Sequence, residues 1–183
     1  MRESIFLEIC AEIYDPHGRF VSRTPWTKAN SLLKNFIKVL QLQTSQAATI
    51  IKDTGNTDRN VSPHSSSLAV NAGATITTHG IVIGSGTTEV SLEDYKLVTQ
   101  VTTNVAHAIM VIQAEAVSST LYRLILSRQF TNNTGAQLEI SEVGLYCNAG
   151  GTTLYFCIDR TLYTVLVASG SSVVLTYRWT ISL

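Results

Sequence analysis

Two glycines that follow an apolar strand are the residues most suggestive of chemistry in this sequence. Gly84 and Gly86 precede an acidic segment, and this order of strand, glycines and helix start is how a nucleotide-binding loop begins. A dinucleotide-binding loop needs a third glycine where this chain has Glu89, and a P-loop needs Lys and then Ser or Thr, where this chain has Thr87 and Thr88. The sequence therefore predicts a strand that leaves its sheet through a glycine turn. A short helical turn is expected to follow, with Ser91 as its cap and Asp94 in the place of the Glu of a capping box.

The four histidines are scattered, at His17, His64, His79 and His107. None belongs to an H-E-x-x-H motif or to a Cys/His set with zinc-ligand spacing. The sequence also lacks the G-x-S-x-G motif of many hydrolases. We expect a hydrogen-bonded structural role for His79. The pattern predicts no catalytic residue and no cofactor site.

A polar segment offers oxygen atoms that could bind a cation. Asp53, Asn56, Asp58 and Asn60 lie close together in the chain, and calcium prefers such ligands. Their spacing does not match an EF-hand loop, which needs ligands at alternate positions and Gly at the sixth. A solvated turn is therefore favoured over calcium, and no metal site is predicted.

The three cysteines predict free thiols. Cys10, Cys147 and Cys157 form an odd set without tight spacing, which argues against a disulfide framework or a zinc site. Cys147 and Cys157 flank a turn without standing directly opposite each other in a simple hairpin, and their pairing is left open. Buried free thiols fit synthesis in a reducing cytoplasm.

The composition favours a subunit that is covered by its neighbours. Hydrophobic residues make up 45% of the 183 residues, but charged residues only 14%, against about 25% in typical soluble domains. The 13 basic and 13 acidic residues balance, so the chain lacks the basic surface of a nucleic-acid-binding protein. It also has no apolar stretch near the ~20 residues of a membrane-spanning helix. Few charges leave little to keep neighbouring chains apart.

Most of the chain reads as strands separated by turns. Apolar residues alternate over 4–14 and again over 172–183, where Arg178 and Trp179 must point to opposite faces. We expect one domain over 1–183, mainly β, with a β-sandwich or jelly-roll-like fold. The other strand candidates are 80–84, 106–117, 120–131, 137–147, 152–159 and 162–168.

One amphipathic helix and one long polar segment complete the predicted organisation. The helix is expected near the N-terminus over 30–43, capped by Asn30 or Ser31, with Trp26 packing onto the same core. The segment 53–79 is rich in Ser, Thr, Asn and Gly and is expected to form an extended loop or arm that orders on a neighbour. The predicted apolar face of the helix comprises Leu32, Leu33, Phe36, Ile37 and Leu40.

Three short motifs follow an N-terminal turn and helix segment over 15–21 and 30–40. The first motif is a glycine core, matched by Gly84, Gly86, Thr87, Asp94, Tyr95 and Leu97. The second is a strand, matched by Ile140, Glu142, Gly144 and Leu145. The third is a closing hairpin, matched by Arg160, Val167, Gly170, Val174 and Tyr177. Together these features resemble those of small virion structural proteins of tailed bacteriophages, and the resemblance covers most of the chain from residue 5 onward.

This resemblance implies a particle component without a catalytic role. The expected location is the virion, after synthesis in the host cytoplasm, with partners that are copies of the chain and other virion proteins rather than specific nucleic acid or membrane. Contact would use sheet edges and the arm. Within the fold, Glu142 is expected to pair with Arg160 on the adjoining strand. The alternative is a surface module that binds carbohydrate or a receptor.

Overall fold

The computed structural model describes residues 4–29, 32–149 and 153–182, without the side chains of residues 4 and 5. This part of the chain is mainly β, as predicted, with one short helix. The elements in chain order are β1 (Ser4–Tyr14), β2 (Phe20–Arg23), β3 (Thr27–Lys28), α1 (Lys34–Ser45), β4 (Thr49–Lys52), β5 (Asp58–Val61), β6 (Gly80–Gly84), β7 (Val105–His107), β8 (Val111–Ser118), β9 (Leu121–Asn132), β10 (Leu138–Asn148), β11 (Tyr155–Val167) and β12 (Ser172–Ser182).

The largest sheet has seven antiparallel strands. Its order is β2-β1-β12-β9-β7, with β3 also pairing with β1 and β8 also pairing with β9. The alternation predicted for β1 and β12 is confirmed, because Ile9 stands opposite Tyr177 and Ala11 opposite Leu175, and all four are buried. The turn predicted between β1 and β2 contains Gly18 at φ 76°.

A second sheet has three antiparallel strands in the order β11-β10-β6. One of its faces shares a single hydrophobic core with the seven-stranded sheet. The other face is covered by a smaller cluster in which Leu97 packs with Leu33 and Val82. Because both faces are covered, β6 is buried along its whole length. This explains why its sequence is a continuous apolar run.

The helix differs from its prediction in place and in orientation. It begins at Lys34 rather than residue 30 and follows three strands, so it is not N-terminal. Leu33 is its N-cap, without a side-chain cap bond, and the two predicted caps lie outside the described residues. The helix packs on β4 and β11 and buries Asn35, Val39 and Leu42, whereas Ile37 and Leu40 are exposed.

Several strand boundaries also differ from the predictions. The two strands predicted over 152–159 and 162–168 are one continuous strand, β11. Polar residues at its centre suggested a break, but they are buried and paired inside the protein. Conversely, the strand predicted over 106–117 is divided into β7 and β8, because the chain leaves the ladder between them at Ala108–Met110.

The polar segment 53–79 is held against the rest of the chain at several points. Its β5 pairs with β4 in a two-stranded hairpin. Farther along, Val70 and Ala72 belong to the main core, and Ala69 forms an isolated bridge with Asn148. The segment thus has partners within its own chain, and its ordering on a neighbour stays a prediction.

Candidate functional site

The glycine loop after β6 closes around a carboxylate of the chain itself. Glu142 Oε1 accepts hydrogen bonds from the backbone N–H groups of Gly86, at 3.1 Å, and Thr99, at 2.8 Å. Its Oε2 accepts from the N–H of Val98, at 3.1 Å, and from Arg160 Nε, at 2.8 Å. The loop therefore does bind an anion, as such loops can, but the anion is a fully buried side chain.

Close packing requires both glycines. A Cβ atom on Gly84 would lie 2.6 Å from Glu142 Oε1, and one on Gly86 would lie 2.5 Å from the same atom. Real Cβ contacts are not this short. The two residues are glycines because the carboxylate approaches the backbone so closely. The structural interpretation of this loop, a strand leaving its sheet, is confirmed.

Arg160 joins the carboxylate of Glu142 to a second carboxylate. Arg160 Nη1 lies 2.7 Å from Asp94 Oδ2, and the same guanidinium donates to the backbone carbonyls of Thr88 and Glu89. The predicted pairing of Glu142 with Arg160 is confirmed. Burial by itself would lower the pKa of Arg160, but its hydrogen bonds to the two carboxylates outweigh burial and raise the pKa.

The predicted capping turn at Ser91 completes this network. The carboxylate of Asp94 accepts a hydrogen bond from the Ser91 N–H at 3.0 Å, and Ser91 Oγ accepts from the Glu93 N–H at 3.3 Å. Asp94 thus ends a turn and binds Arg160 with the same oxygen. Residues far apart in sequence meet around Glu142, and their contacts hold a loop onto the three-stranded sheet.

A third carboxylate lies in the interior near the centre of β11. Asp159 Oδ2 accepts hydrogen bonds from the hydroxyl of Tyr177, at 2.8 Å, and from Thr161 Oγ1, at 3.1 Å. All three residues are buried. Burial raises the pKa of Tyr177, and the charge of Asp159 adds to that effect. A carboxylate and a phenol could exchange a proton, but here both are enclosed where a substrate cannot reach them.

Arg128 anchors the end of the polar segment to the seven-stranded sheet. It is 1% exposed, and burial lowers its pKa to about 10. Arg128 was not predicted as a functional residue, although its place on the apolar face of β9, between Leu126 and Phe130, was a usable signal. Its guanidinium donates hydrogen bonds to the backbone carbonyls of Gly73, Ile76, His79, Ile81 and Ala108.

His107 is the most perturbed of the four histidines. It is 5% exposed and packs edge-on against Phe130, with ring centroids 5.2 Å apart. Among the described residues, neither ring nitrogen has a hydrogen-bond partner. Burial, followed by the charge of Arg128, lowers its pKa to about 4. The ring is therefore neutral at pH 7.

The other histidines have separate surroundings. His79 stacks on Tyr155 at 5.4 Å, and its Nδ1 lies 3.3 Å from Thr78 Oγ1. It is therefore hydrogen-bonded, and its structural role stays a prediction. His64 bonds Ser66 within the polar segment. His17 lies in the exposed turn between β1 and β2.

The residues considered for calcium belong to the β4–β5 hairpin instead, with Asp53 and Asn56 in its turn and Asp58 and Asn60 in β5. Asp53 Oδ2 accepts from Arg59 Nε at 2.6 Å, and its Oδ1 accepts from two backbone N–H groups of the turn. Lys52 contacts both Asn56 and Asp58. Burial alone would raise the pKa of Asp53, but these hydrogen bonds lower it. Within the described ranges, no group of three His, Cys, Asp or Glu residues is arranged to hold a metal ion.

The cysteines are free and buried, as predicted. Cys147 stands opposite Phe156 in the β10–β11 ladder, and Cys157 stands opposite Tyr146, so the two thiols are not cross-strand partners. Burial raises the pKa of Cys147 to about 12. At neutral pH this thiol is protonated and enclosed.

The longest exposed edge belongs to β8. All eight of its residues are exposed, and within the described part of the chain it pairs with β9 alone. Nearby apolar side chains line an open cavity of about 400 Å³, which includes Ile112, Leu124 and Trp179. A second cavity of about 300 Å³ lies between α1 and β1, lined by residues that include Leu40 and Phe36.

Trp26 does not pack with the helix, which corrects its predicted role. Its ring lies 3.8 Å from the Arg178 guanidinium carbon, outside both core clusters. Arg178 in turn bonds Glu8 at 2.6 Å. Trp179 lies on the opposite face of β12, as predicted, and packs edge-on against Phe36.

Comparisons with protein-family models, curated proteins and solved structures found no match to this chain. Within the described residues, no helix is both long enough and apolar enough to cross a membrane. The function must therefore be argued from the arrangement of the side chains.

Proposed function

We propose that this chain is a non-enzymatic structural protein of a tailed-bacteriophage virion. It packs on copies of itself and on other virion proteins through its sheet edges and through the segment 53–79. In this proposal the two larger sheets form a single β-sandwich domain around their shared core. The observation that carries the proposal is the exposed β8 edge with the apolar surface beside it.

The distribution of polar groups supports a structural role. The carboxylates most suggestive of chemistry, those of Glu142 and Asp159, are fully buried and hydrogen-bonded within the chain. Exposed apolar side chains support contacts with other subunits, because their burial on association is favourable. Such side chains include Phe20, Ile37, Ile50, Leu92, Ile109, Tyr122 and Ile181.

The resemblance to virion proteins supports the same proposal. Its matched residues Gly84, Gly86, Asp94, Glu142 and Arg160 lie in one connected network. A network of this kind shapes a scaffold and leaves the surface free for contacts. The matched motifs therefore fit a family of structural proteins better than a family of enzymes.

The direct test is the mass of the purified protein by light scattering, with negative-stain electron microscopy of the same sample. We expect a mass above that of the monomer, as dimers, trimers, rings or filaments, because assembly would bury the apolar surface. A monomer at high concentration, alone and with cognate virion proteins, would contradict the proposal.

One observation favours a second candidate, a surface module that binds carbohydrate or a receptor. Trp26 is partly exposed beside Arg178 and Glu8, and an aromatic ring with polar neighbours is a common feature of binding surfaces. For this candidate, a panel of sugars should raise the melting temperature of the protein, and Trp26→Ala should abolish that rise. An unchanged melting temperature across the panel would argue against carbohydrate binding.

A further inference from the structure

The β8 edge also indicates which partner it fits and in which register. We propose that β8 pairs antiparallel with β8 of a second copy, about a two-fold axis at Ala114, so that two seven-stranded sheets become one continuous sheet. This inference rests on the proposed function, since it specifies one of the contacts through which the chain assembles.

The backbone of β8 is suited to such pairing. An edge strand presents a row of N–H and C=O groups that a further strand can satisfy. Natural sheets protect their edges with Lys, Pro or short strands, but β8 has eight residues, no Lys and no Pro. Its one charged residue, Glu115, is paired with Arg123 at 3.3 Å. A register shift between Ala116 and Ser118 limits the regular ladder to Val111–Ala116.

The sequence of β8 reads almost the same in both directions around Ala114. Antiparallel pairing about this residue places Gln113 opposite Glu115 of the second copy, where an amide can donate to a carboxylate. It also places Ile112 opposite Ala116 of the second copy. Polar residues meet polar ones and apolar residues meet apolar ones. This complementarity favours a second copy over an unrelated strand.

Neighbouring symmetric registers lack this complementarity. An axis at Glu115 would place two carboxylates directly opposite each other, and like charges in that position are destabilising. An axis at Gln113 would place Val111 opposite Glu115 of the second copy. The register centred on Ala114 is therefore the one that the side chains select.

The same register extends the apolar face of the sheet. Ile112 stands opposite Leu126, Ala114 opposite Leu124, and Leu124 opposite Trp179, so these residues share one face. Across the two-fold axis, Ile112 would contact Ala116 of the second copy on this face. Ile112 and Ala116 are exposed in the single chain, and burying them gives the association its hydrophobic driving force.

Disulfide cross-linking tests the register directly. Directly opposed antiparallel residues have Cα atoms about 4.5–5.5 Å apart, within the range of a disulfide. Ala114→Cys should therefore give a cross-linked dimer under mild oxidation. Ile112→Cys is the matched control on the same face, because its two copies would lie about 14 Å apart. The native cysteines are buried and give little background.

A mixture of Ile112→Cys and Ala116→Cys proteins should form the mixed disulfide, which confirms the pairing of unlike positions. Equal cross-linking of Ala114→Cys and Ile112→Cys would overturn the inference. If light scattering shows oligomers but Ala114→Cys does not cross-link, this interface is wrong and the proposed self-assembly stands. If the protein remains a monomer with cognate virion proteins present, both are overturned.

Discussion

The three-stranded sheet and the β8 edge differ in which residues they bury and which they expose. Around the small sheet, Glu142, Asp159 and Arg160 are charged residues that are buried and hydrogen-bonded. At the edge of the large sheet, Ile112 and Val111 are apolar residues that are exposed. Polar groups used inside a protein stabilise its fold, whereas apolar groups left outside are available for partners. We therefore expect substitutions in the first region to change stability and substitutions in the second to change the proposed assembly.

The largest expected effect tests the buried side of this comparison. Glu142→Gln removes the charge opposite Arg160 and should lower the free energy of unfolding by about 3–5 kcal/mol, because a buried guanidinium loses one of its two carboxylates. Urea unfolding measures this loss. Glu139→Gln, the same change at an exposed position of β10, should cost less than about 0.5 kcal/mol. Equal stability of the two variants would show that the network around Glu142 and Arg160 does not stabilise the fold.

A smaller effect is expected at His107, where the large sheet also buries a polar group. Its pKa is lowered from 6.5 to about 4, so the unfolded chain binds a proton that the folded chain excludes. Stability should therefore fall as pH falls from about 6.5 to 4, by about 3 kcal/mol at ~1.4 kcal/mol per unit.

His107→Phe should flatten this pH dependence when unfolding is measured across the same window. Part of the slope will remain, because burial and Arg128 also lower the pKa of His79. An unchanged slope in the variant would show that protonation of His107 does not destabilise the fold.

In the glycine loop, a substitution is expected to lower the free energy of unfolding by about 1–3 kcal/mol. Gly86→Ala places a methyl group 2.5 Å from Glu142 Oε1 and 2.7 Å from Val98 Cβ, so the carboxylate must shift. Gly73→Ala is the control, because its nearest contact would be an ordinary 3.9 Å. Thermal unfolding should separate the two, and equal melting temperatures would contradict the close packing.

The smallest effect on stability is expected at the edge itself. Ala114→Lys changes an exposed residue and should alter the free energy of unfolding by less than about 0.5 kcal/mol in dilute solution. Ser22→Lys on the opposite edge of the sheet is the matched control. A large loss of stability in the Ala114 variant alone would mean that β8 serves the fold of the single chain.

Several features of the fold could be predicted from the sequence where apolar and polar residues alternate regularly. The strands β1 and β12, the turn at Ser91 and the pairing of Glu142 with Arg160 were all predicted and are confirmed. These features depend on local periodicity or on neighbouring strands, which a sequence displays directly. The mainly β class follows from the same signals.

The errors arose where burial depends on distant partners. Arg160 and Thr161 interrupted the two predicted strands, yet both are buried within β11. Arg160 is paired with Glu142 of β10, and Thr161 donates a hydrogen bond to Asp159. The helix buries Asn35 because β4 supplies a carbonyl acceptor, at Lys52, which periodicity does not reveal. The exposure of β8 depends likewise on the order of strands in its sheet, because one edge of β8 pairs with β9 and the other has no neighbouring strand among the described residues. Local periodicity does not reveal this order.

Assembly through the β8 edge is tested by the light-scattering mass of the unmodified protein and of the Ala114→Lys and Ser22→Lys variants over a range of concentrations. We predict that Ala114→Lys lowers the mass, because two lysines would face each other at the axis, whereas Ser22→Lys keeps the mass of the unmodified protein. Equal masses for all three, whether oligomeric or monomeric, would contradict the claim.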